Sequence, residues 1–555
     1  MFRLCDLLEG LETGPVVGDP TVPVSDICYD SRSVRPGAVF FCVRGFRLDG
    51  HDFIPEAVGR GAVALVVEGL EGLAAARSRL GPASDGRAPA PGTAPVVVVV
   101  PDVRAAMGPA AANFYGHPSR RLRTIGVTGT NGKTTTTHLV RELLVKAGGR
   151  SCGLIGTVHN VVGGRFLPAG RTTPEAFDLQ RLADEMLRAG DTHLVMEVAS
   201  HGLALGRVRG FGFDVGVFTN LTQDHLDFHG DFESYFQAKA RLFRELGTSS
   251  RGRAKGGAKA AVLNSGDPAS GRLAGLTSVP VVTYGLESPA AALRARDIRL
   301  APGRTSFVLE AEAGLGVGLP GVGAFEVPAI LSLTGRYNLE NALAALAVAL
   351  IEGVPTPAAV AALADVRGAP GRFETVDAGQ EFAAVVDYAH TPDGLENVLE
   401  AARALRPRRL ITVFGCGGDR DRTKRPLMGE VAARLSDLCV VTSDNPRSED
   451  PLAVIGDILP GLRRLGRREG RDYLVEPDRA KAIELAVRSA EPGDFVVVAG
   501  KGHETYQVFA DRTVHFDDRE VLREAIGRNA GRGPAGPAAC PGDRAGSPGG
   551  EGAGG

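Results

Sequence analysis

The sequence predicts an α/β protein of three domains. These are a small N-terminal α/β domain, a central domain with a parallel sheet around a phosphate loop, as in P-loop ATPases, and a C-terminal Rossmann-like domain. Short apolar runs alternate with helical stretches along most of the chain, as expected of parallel sheets covered by helices. A glycine-rich turn separates a strand from a helix at residues 129–135. The 555 residues are 43% hydrophobic and 23% charged, enough to bury several cores.

The first domain is predicted at residues 1–120. Its strand-like runs AVFFCV and AVALVV flank PEAVGRGA, which is typical of a short helix. Residues 81–95 have no periodicity and are rich in Gly, Pro and Ala, so we expect a flexible insertion there.

The central domain is predicted at 121–368 and the third at 369–528. In the central domain RLRTIGV, HLVMEV and DVGVFTN indicate strands, and an Ala-rich helix at 338–353 with its neighbour PTPAAVAALADV closes the unit. In the third domain AAVVDY, LITVFG, LCVVTS and DFVVVAG indicate strands. Residues 529–555 are dominated by Gly, Pro and Ala and are predicted to be a disordered tail.

Composition excludes several classes of partner. Lys and Arg total 63 against 65 for Asp and Glu, a net charge of −2, so no basic field attracts nucleic acid or an anionic membrane. We therefore expect no nucleic-acid or membrane partner. The seven cysteines are scattered without a C-x-x-C pair, which favours a reducing compartment. We expect a cytoplasmic monomer that acts on small molecules.

The glycine-rich turn has the residues of a phosphate loop. Backbone amides and the helix N-terminus would bind phosphates, the lysine would reach the terminal ones, and the threonine after it would hold Mg²⁺. The alternative is a structural glycine turn, because Val127 occupies the place of the first consensus glycine. The candidate ATP-binding residues are Gly129, Thr130, Asn131, Gly132, Lys133, Thr134 and Thr135.

Two further polar residues follow predicted strands beside this loop. Glu197 ends HLVMEV, and His225 follows DVGVFTNLTQD. A carboxylate at the carboxyl end of a parallel strand is well placed to bind Mg²⁺. Taken singly, Glu197 is equally explained as a helix cap and His225 as a surface histidine.

Seven motifs occur along the chain in the order TGTNGKTTT, MEVASHGL, NLTQDHLDFHG, YFQAKARLF, GRYNLEN, PGRFE and DYAHTPD. With them, residues 25 to 525 or so resemble the Mur ligases, the ATP-dependent amide-forming enzymes of peptidoglycan precursor synthesis. The resemblance implies that the three domains bind the UDP-sugar peptide, ATP and the incoming amino acid in turn. It also implies Mg²⁺ as the cofactor.

The resemblance further implies roles for individual residues. Lys239 matches a lysine that the family carbamylates; its carbamate oxygens suit a hard cation, and forming it needs a neutral amine. The alternative is an exposed helix lysine paired with Glu233. The implied metal ligands are Thr134, Glu197, His225 and Lys239 as its carbamate. The implied catalytic residues are Lys133, Glu197, His225 and Lys239.

Three residues match family positions that close over ATP. They are Asn338, Arg372 and Asp387. Each also has a plain structural explanation: a helix cap, a surface charge and a turn former at a strand end, respectively.

In the third domain, polar residues fall on three loops that follow predicted strands. Arg420 and Arg447 suit carboxylates, because guanidinium groups bind them in bidentate fashion, and Glu504 can accept from an ammonium. With the carboxamide of Asn445, this set favours a zwitterionic amino acid as the ligand.

The segment Asp444-Asn445-Pro446-Arg447 is similar to the motif of those Mur ligases that add meso-2,6-diaminopimelate to UDP-N-acetylmuramoyl-L-alanyl-D-glutamate; by the same resemblance Gly500 completes the pocket. Diaminopimelate has a second amino-acid head where lysine has only an ammonium. Lysine would leave the arginine unpaired, at a cost of about 2–5 kcal/mol. The segment is also explained as a type I turn. The alternatives are a lysine-adding ligase of the same family or a non-catalytic, nucleotide-regulated binding protein.

The resemblance also implies contacts to the UDP-sugar peptide. Ser31, Thr172, Thr173 and Arg207 match its binding positions. One departure is Ala199, where family members usually have serine. We expect Thr173 or a water to replace the missing hydroxyl. The implied reaction activates the D-glutamyl carboxylate as an acyl phosphate, which an amine of diaminopimelate then attacks.

Overall fold

The computed structural model describes residues 2–45, 48–80, 94–246, 257–317 and 322–530. The chain divides into two compact units. The first runs to Glu374 and includes Glu396–Arg406; the second comprises Thr375–Leu395 and continues from Pro407. The predicted insertion at 81–95 lies outside the described residues except for its last two. The predicted tail does so too, apart from residues 529 and 530, which end the last helix.

The first sheet of the first unit has five strands in the order β1-β5-β4-β3-β2 and is parallel except for β1. All five valines of its last strand are buried, as expected of a parallel strand covered on both faces. The strands are β1 (Val16–Val17), β2 (Asp26–Cys28), β3 (Ala38–Phe41), β4 (Ala64–Glu68) and β5 (Val96–Val100). The helices are α1 (Leu4–Leu7), α2 (Ile54–Gly59), α3 (Gly69–Leu80) and α4 (Val103–Phe114).

The second sheet has eleven strands in the order β16-β15-β14-β13-β12-β11-β6-β10-β7-β8-β9. They are β6 (Arg123–Thr128), β7 (Cys152–Ile155), β8 (His159–Val162), β9 (Arg165–Pro168), β10 (His193–Glu197), β11 (Val215–Phe218), β12 (Ala260–Asn264), β13 (Val281–Leu286), β14 (Leu293–Ala301), β15 (Arg304–Ala311) and β16 (Phe325–Leu331).

The centre of this sheet, from β14 to β7, is parallel as predicted, but both edges are antiparallel. Strands β8 and β9 are joined by Gly163 and Gly164, and Gly303 lies between β14 and β15; all three have positive φ. Antiparallel strands need only such short turns, whereas parallel strands need a crossover. These hairpins were not predicted from the sequence.

Helices cover both faces of the second sheet. They are α5 (Lys133–Lys146), α6 (Ala176–Arg188), α7 (Ser200–Ala204), α8 (Leu226–His229), α9 (Phe232–Glu245), α10 (Ala269–Ala274), α11 (Arg336–Ile351) and α12 (Thr356–Leu363). Helix α11 is the predicted Ala-rich helix, and nearly all of it is buried in the main core. Helix α6 supplies Phe177 to the core of the first sheet.

The sheet of the second unit has the order β17-β18-β22-β19-β20-β21, and β18 to β21 are parallel. All four predicted strands are present, as β18, β19, β20 and β22. The strands are β17 (Glu374–Thr375), β18 (Ala383–Asp387), β19 (Leu410–Phe414), β20 (Leu438–Val441), β21 (Tyr473–Val475), β22 (Phe495–Ala499) and the hairpin of β23 (Tyr506–Val508) and β24 (Thr513–His515). The helices of this part of the chain are α13 (Pro392–Ala404), α14 (Lys424–Leu435), α15 (Pro451–Arg464), α16 (Arg479–Ser489) and α17 (Asp518–Ala530). Most of α13 belongs to the first unit.

The predicted α/β class is confirmed, and each of the three predicted domains contains one large sheet. The first two sheets lie within one compact unit, so the domain borders at 120/121 and 368/369 stay predictions. Within the described ranges, no helix combines the length and the apolar character needed to cross a bilayer.

Candidate active site

The predicted phosphate loop connects β6 to α5, at the centre of the second sheet. Gly129 and Gly132 have φ values of 153° and 82°, which favour glycine. A Cβ on Gly129 would lie 1.8 Å from Thr219 Oγ1, and one on Gly132 would lie 2.3 Å from Asn341 Oδ1. Glycine is therefore required at both positions. The loop is held against the end of β11, where Asn220 accepts from the backbone amides of residues 130 and 131 at 2.8 Å.

Two lysines, the half-buried Lys133 and the buried Lys239, donate to one carbonyl oxygen of this loop. Lys133 Nζ donates to Gly129 O at 3.0 Å and to Thr130 O at 2.7 Å. Lys239 Nζ, from α9, donates to Gly129 O at 2.6 Å. Burial lowers the pKa of both amines, and the Lys133 ammonium lowers the pKa of Lys239 further, well below its ordinary value. The loop thus holds two amines close together with the second tending to the neutral state.

The structural alternative for Lys239 is wrong. Its side chain is only 2% exposed and lies over the Tyr235 ring, with Nζ 4.4 Å from the centroid. Glu233 instead pairs with Arg272 at 2.7 Å on the exposed side of α9. The lowered pKa of Lys239 favours the neutral amine that carbamate formation needs.

Glu197 ends β10 as a fully buried carboxylate facing the start of α5. Its Oε2 accepts from Thr134 Oγ1 at 2.9 Å and from Thr157 Oγ1 at 3.1 Å, and its Oε1 accepts from Thr157 N at 2.7 Å. The cap position before α7 is held by Ala199, so Glu197 is not a helix cap. Thr134 and Glu197 are thus brought together as the sequence predicts.

His225 lies just before α8 with φ 55° and a half-exposed side chain. Its ring packs at 4.6 Å from the ring of His201, and its Nε2 lies 3.3 Å from Asp224 Oδ2. Tyr235 connects this region to the phosphate loop, since its hydroxyl is 3.1 Å from Thr130 Oγ1 and its ring centroid is 6.4 Å from that of His225.

The donor set fits Mg²⁺. This hard cation is held in proteins by one or two carboxylates together with hydroxyls, water and substrate phosphates. The fully buried Glu197 carboxylate has hydroxyl and amide donors around it and an adjacent threonine from the phosphate loop. Within the described ranges no three His, Cys, Asp or Glu side chains form a complete metal cage. The arrangement therefore suits a cation that arrives with phosphates.

Asn338 and Arg372 flank the loop from the side of α11. Asn338 is 1% exposed; its Nδ2 donates to Thr334 O at 2.8 Å, while its Oδ1 has no hydrogen-bond partner among the described residues. The half-buried Arg372 contributes its charge to lowering the pKa of Lys133. Asn338 lies inside α11, which is capped by Gly335, so the helix-cap alternative is wrong. A buried acceptor without a donor fits a bound ligand such as a nucleotide.

The residues expected to hold the UDP-sugar peptide are mostly engaged with the protein. Ser31 Oγ donates to Glu56 Oε2 at 2.7 Å. Thr172 Oγ1 lies 3.0 Å from Thr157 Oγ1, which extends the Glu197 network outward. Arg207 pairs with Glu175 at 3.0 Å, and burial lowers its pKa.

Thr173 was expected to replace the serine hydroxyl that is missing at position 199, but its hydroxyl binds two backbone groups instead. Thr173 Oγ1 donates to Glu197 O and accepts from Ala199 N, both at 2.9 Å, and its side chain is buried. Its hydroxyl hydrogen is used inside the protein. Thr173 thus fixes the strand end that carries Glu197.

In the second unit, the predicted amino-acid residues lie at the carboxyl ends of three neighbouring parallel strands. Arg420 follows β19, residues 444–447 follow β20, and Gly500 and Glu504 follow β22. This is the edge of an α/β sheet where ligands bind. Arg420 is exposed, and its Nη1 donates only to the neighbouring carbonyl of Asp419 at 3.0 Å.

Asn445, Arg447 and Glu504 form the interior of this site. Asn445 Nδ2 donates to Glu504 Oε2 at 2.9 Å. Arg447 is half-buried with φ 52°, and its Nη1 donates to Gly418 O at 2.7 Å. Burial raises the pKa of Glu504, and the carboxylate of Asp444 raises it further. A positive φ at a non-glycine residue is a local cost that functional sites tolerate.

Two residues here support the site from behind. Gly500 has φ 126°, and a Cβ on it would lie 2.7 Å from Asp444 Oδ2, so only glycine fits. Its amide donates to Asp387 O at 3.0 Å. Asp387 ends β18, and its Oδ1 accepts from Ala389 N at 2.8 Å, which is the turn-forming alternative; its contact with ATP stays a prediction. Pro446, which lies between Asn445 and Arg447 along the chain, is buried.

Several residues that shape both sites were not predicted from the sequence. Asn220 and Asn341 contact the phosphate loop. They lie in the motifs NLTQDHLDFHG and GRYNLEN, in which only His225 and Asn338 were predicted as site residues. Thr157 has no local signal, because only the fold brings it to Glu197. Lys501 lies in AGKGHETYQ, and its burial beneath Asn445 was not foreseen.

Three family models match the chain in order. The Mur ligase family, catalytic domain, matches residues 23–115; the Mur ligase middle domain matches 127–349; and the Mur ligase, glutamate ligase domain, matches 371–502.

Curated relatives match over nearly their whole length. A UDP-N-acetylmuramoyl-L-alanyl-D-glutamate–2,6-diaminopimelate ligase of Geobacillus thermodenitrificans is 46% identical, covering 92% of this chain and 96% of the relative. One of Halalkalibacterium halodurans is 44% identical, covering 95% and 99%. A solved structure of a ligase of that name is 31% identical with a TM-score of 0.63, covering 95% of this chain and 99% of that one. The chain belongs to the Mur ligase family of ATP-dependent, amide-forming ligases.

Proposed function

We propose that this protein joins meso-2,6-diaminopimelate to the D-glutamyl carboxylate of UDP-N-acetylmuramoyl-L-alanyl-D-glutamate, with hydrolysis of ATP to ADP and phosphate. The observation that carries the proposal is the site in which Asn445, Arg447 and Glu504 meet at the ends of β20 and β22. The names of the relatives support it.

The chemistry of this pocket favours diaminopimelate over lysine. A half-buried guanidinium suits a carboxylate and Glu504 suits an ammonium, so together they match a whole amino-acid head. Diaminopimelate keeps such a head free when its other amine reacts. Lysine brings only the ammonium and would leave Arg447 without its carboxylate.

The first unit supplies the energy of the reaction. The D-glutamyl carboxylate attacks the γ-phosphorus of ATP, ADP leaves, and an acyl phosphate forms. The diaminopimelate amine then attacks the acyl carbon and loses a proton, and inorganic phosphate leaves. Lys133 neutralises phosphate charge from the loop, and the backbone amides that precede α5 orient the phosphates.

Mg²⁺ would be held by Thr134, Glu197, His225 and the carbamate of Lys239. When bound, it offsets the negative charge of the phosphates. The contact between Thr134 and Glu197 and the lowered pKa of Lys239 support this assignment. The orphaned Oδ1 of Asn338 supports a nucleotide contact, and Arg372 would pair with its phosphates.

We assign Thr172 and Arg207 to the peptide of the acceptor and Ser31 to its uridine nucleotide. The Thr172 hydroxyl contacts the Thr157 hydroxyl, which in turn donates to Glu197. This link supports a position of Thr172 near the reacting carboxylate. We further propose that the protein works in the cytoplasm as a monomer. Six cysteines in the described part of the chain are free thiols, as suits a reducing compartment.

The test is a reconstituted reaction. The purified chain is given ATP, Mg²⁺ and the UDP-dipeptide, and phosphate release and product mass are measured with diaminopimelate or with lysine as the only amine. We expect amine-dependent phosphate release and a product heavier by one diaminopimelate residue. Equal turnover with lysine would reject the specificity, and binding of ATP without phosphate release would indicate a non-catalytic binding protein.

A further inference from the structure

We propose that Lys501 is a positioning residue of the amino-acid pocket that fixes the orientation of the Asn445 amide. Its positive charge also offsets one of the two carboxylates, Asp444 and Glu504, so that the three groups together carry one negative charge. The inference rests on the proposed function, because it assumes that the pocket binds one end of diaminopimelate. It assigns a role to a buried charge that neither the reaction nor the contacts described above require.

Lys501 is fully buried directly beneath the pocket. Its Nζ donates to Asn445 Oδ1 at 2.9 Å and to Tyr506 O at 2.8 Å. The same nitrogen lies 3.6 Å from Asp444 Oδ1 and 3.7 Å from Glu504 Oε2. A buried ammonium is retained only where such partners compensate for its lost hydration.

The first consequence concerns the orientation of the carboxamide. Asn445 Oδ1 accepts from both Lys501 Nζ and Val508 N, the latter at 3.0 Å. Both are donors only, so the amide oxygen must face them and the Nδ2 group must point away. Nδ2 then donates to Glu504 Oε2. Lys501 thereby orients Glu504 through Asn445.

The second consequence concerns charge. Asp444 and Glu504 carry two negative charges and Lys501 one positive charge, so these three groups leave one negative charge. The neighbouring buried Arg479 adds nothing to this count, because it is paired with Asp518 at 2.7 Å and both are fully buried. Its remaining donors bind Ser443 O and Ala499 O, which ties the strand ends of β20 and β22 together.

The resulting pocket matches one zwitterionic head. A single surplus negative charge pairs with one ammonium, and the positive charge of Arg447 pairs with one carboxylate. Diaminopimelate presents this combination at its far end, while its reacting amine must be neutral to attack. Without Lys501, two close buried carboxylates would share a proton, as like charges do. Glu504 would then be neutral and would not hold the ammonium.

The test compares Lys501→Met with Lys481→Met. The control removes an exposed lysine that is paired at 3.7 Å with Asp478 on α16 of the same unit. For Lys501→Met we expect the KM for diaminopimelate to rise by about 30-fold or more, the effect of leaving a buried charge unpaired. The KM for ATP should stay within about 2-fold, and Lys481→Met should resemble the wild type in both.

A pH series separates this role from simple packing. Glu504 faces Asp444 and Arg447 from the β20 loop, Lys501 from its own loop, Arg479 from α16 and Tyr506 from β23. Asp518 from α17 acts on Lys501 and Arg479. Removing the ammonium raises the pKa of Glu504 above its already raised value. The ratio of mutant to wild-type KM should therefore be largest near pH 6.5 and shrink towards pH 8.5, by up to about 10-fold per pH unit.

Several outcomes would overturn the inference. They are an unchanged KM for diaminopimelate in Lys501→Met, an equal rise in the KM for ATP, or a KM ratio that is constant with pH. If Lys501→Met unfolds below the assay temperature, Lys501→Gln retains polar contact with Asn445 without the charge, and the same pH-dependent ratio is expected. Failure of the proposed function appears separately, because the wild type would then not use diaminopimelate.

Discussion

Replacing Arg447 by alanine removes the group that we propose distinguishes diaminopimelate from lysine. The residue lies at the turn after β20 with φ 52°. Alanine also carries a Cβ, so the backbone cost of this φ is the same in both proteins. The hydrogen bonds lost are those from Nη1 to Gly418 O at 2.7 Å and to Asn445 O at 3.5 Å.

The expected effect follows from the pairing that is lost. Removing one partner of a half-buried, hydrogen-bonded charge pair costs about 2–5 kcal/mol, which corresponds to about 30-fold to several thousand-fold in affinity. We therefore expect the KM for diaminopimelate to rise by at least about 30-fold. The KM for ATP should change little, because the phosphate loop belongs to the other compact unit.

The assay measures initial rates of phosphate release while diaminopimelate and ATP are varied in turn. Arg512→Ala is the matched control, since Arg512 is an exposed arginine of the same unit that pairs with Asp511 at 3.0 Å and lies over the Phe509 ring, away from the pocket residues named above. Thermal unfolding of each variant shows whether the fold is intact. A folded Arg447→Ala protein with the wild-type KM for diaminopimelate would refute the reasoning.

Four further changes test other parts of the account. Lys133→Ala should abolish phosphate release measured with saturating substrates, because the loop loses its phosphate-binding cation; measurable turnover would contradict this. Glu197→Gln should raise the Mg²⁺ concentration needed for half-maximal activity by about 10-fold or more, and an unchanged requirement would exclude it as a ligand. In ¹³C-bicarbonate, the wild type should show a carbamate NMR signal that is missing in Lys239→Met. Arg479→Met leaves Asp518 buried and unpaired, so denaturant unfolding should show about 3–5 kcal/mol less stability for this unit.

Residues that act through local sequence context were predictable. The phosphate loop has glycine where φ is positive and lies between a strand and a helix, and the structure has both features. Glu197 and the 444–447 segment follow apolar runs, which become β10 and β20. Parallel strands bring their carboxyl ends to one edge, so neighbouring loops meet there without any further information from the sequence.

Contacts between distant segments were not predictable from pattern. Lys239 is spaced like a helix-surface lysine, and only the packing of α9 against the phosphate loop shows that it is buried. Thr173 was expected to face the substrate, yet its hydroxyl joins two backbone groups of the β10 end. The antiparallel strands β15 and β16 lack the helix between strands from which parallel pairing was inferred.

The two lysines on one carbonyl oxygen illustrate how burial prepares the site. A single ammonium at Gly129 O would be stable, but the second amine is destabilised as a cation by its neighbour and by burial. The pKa of Lys239 is lowered well below its ordinary value, which supports our proposal that Lys239 is the amine that becomes carbamylated. The proposal assigns phosphate binding to Lys133 and the carbamate to Lys239.

The central claim is that the pocket of the second unit selects an amine with a second amino-acid head. The most direct measurement offers equal concentrations of diaminopimelate and lysine in one reaction with ATP, Mg²⁺ and the UDP-dipeptide, and weighs the products by mass spectrometry. The account predicts that the diaminopimelate product exceeds the lysine product by at least about 30-fold. Comparable amounts of the two products would contradict it.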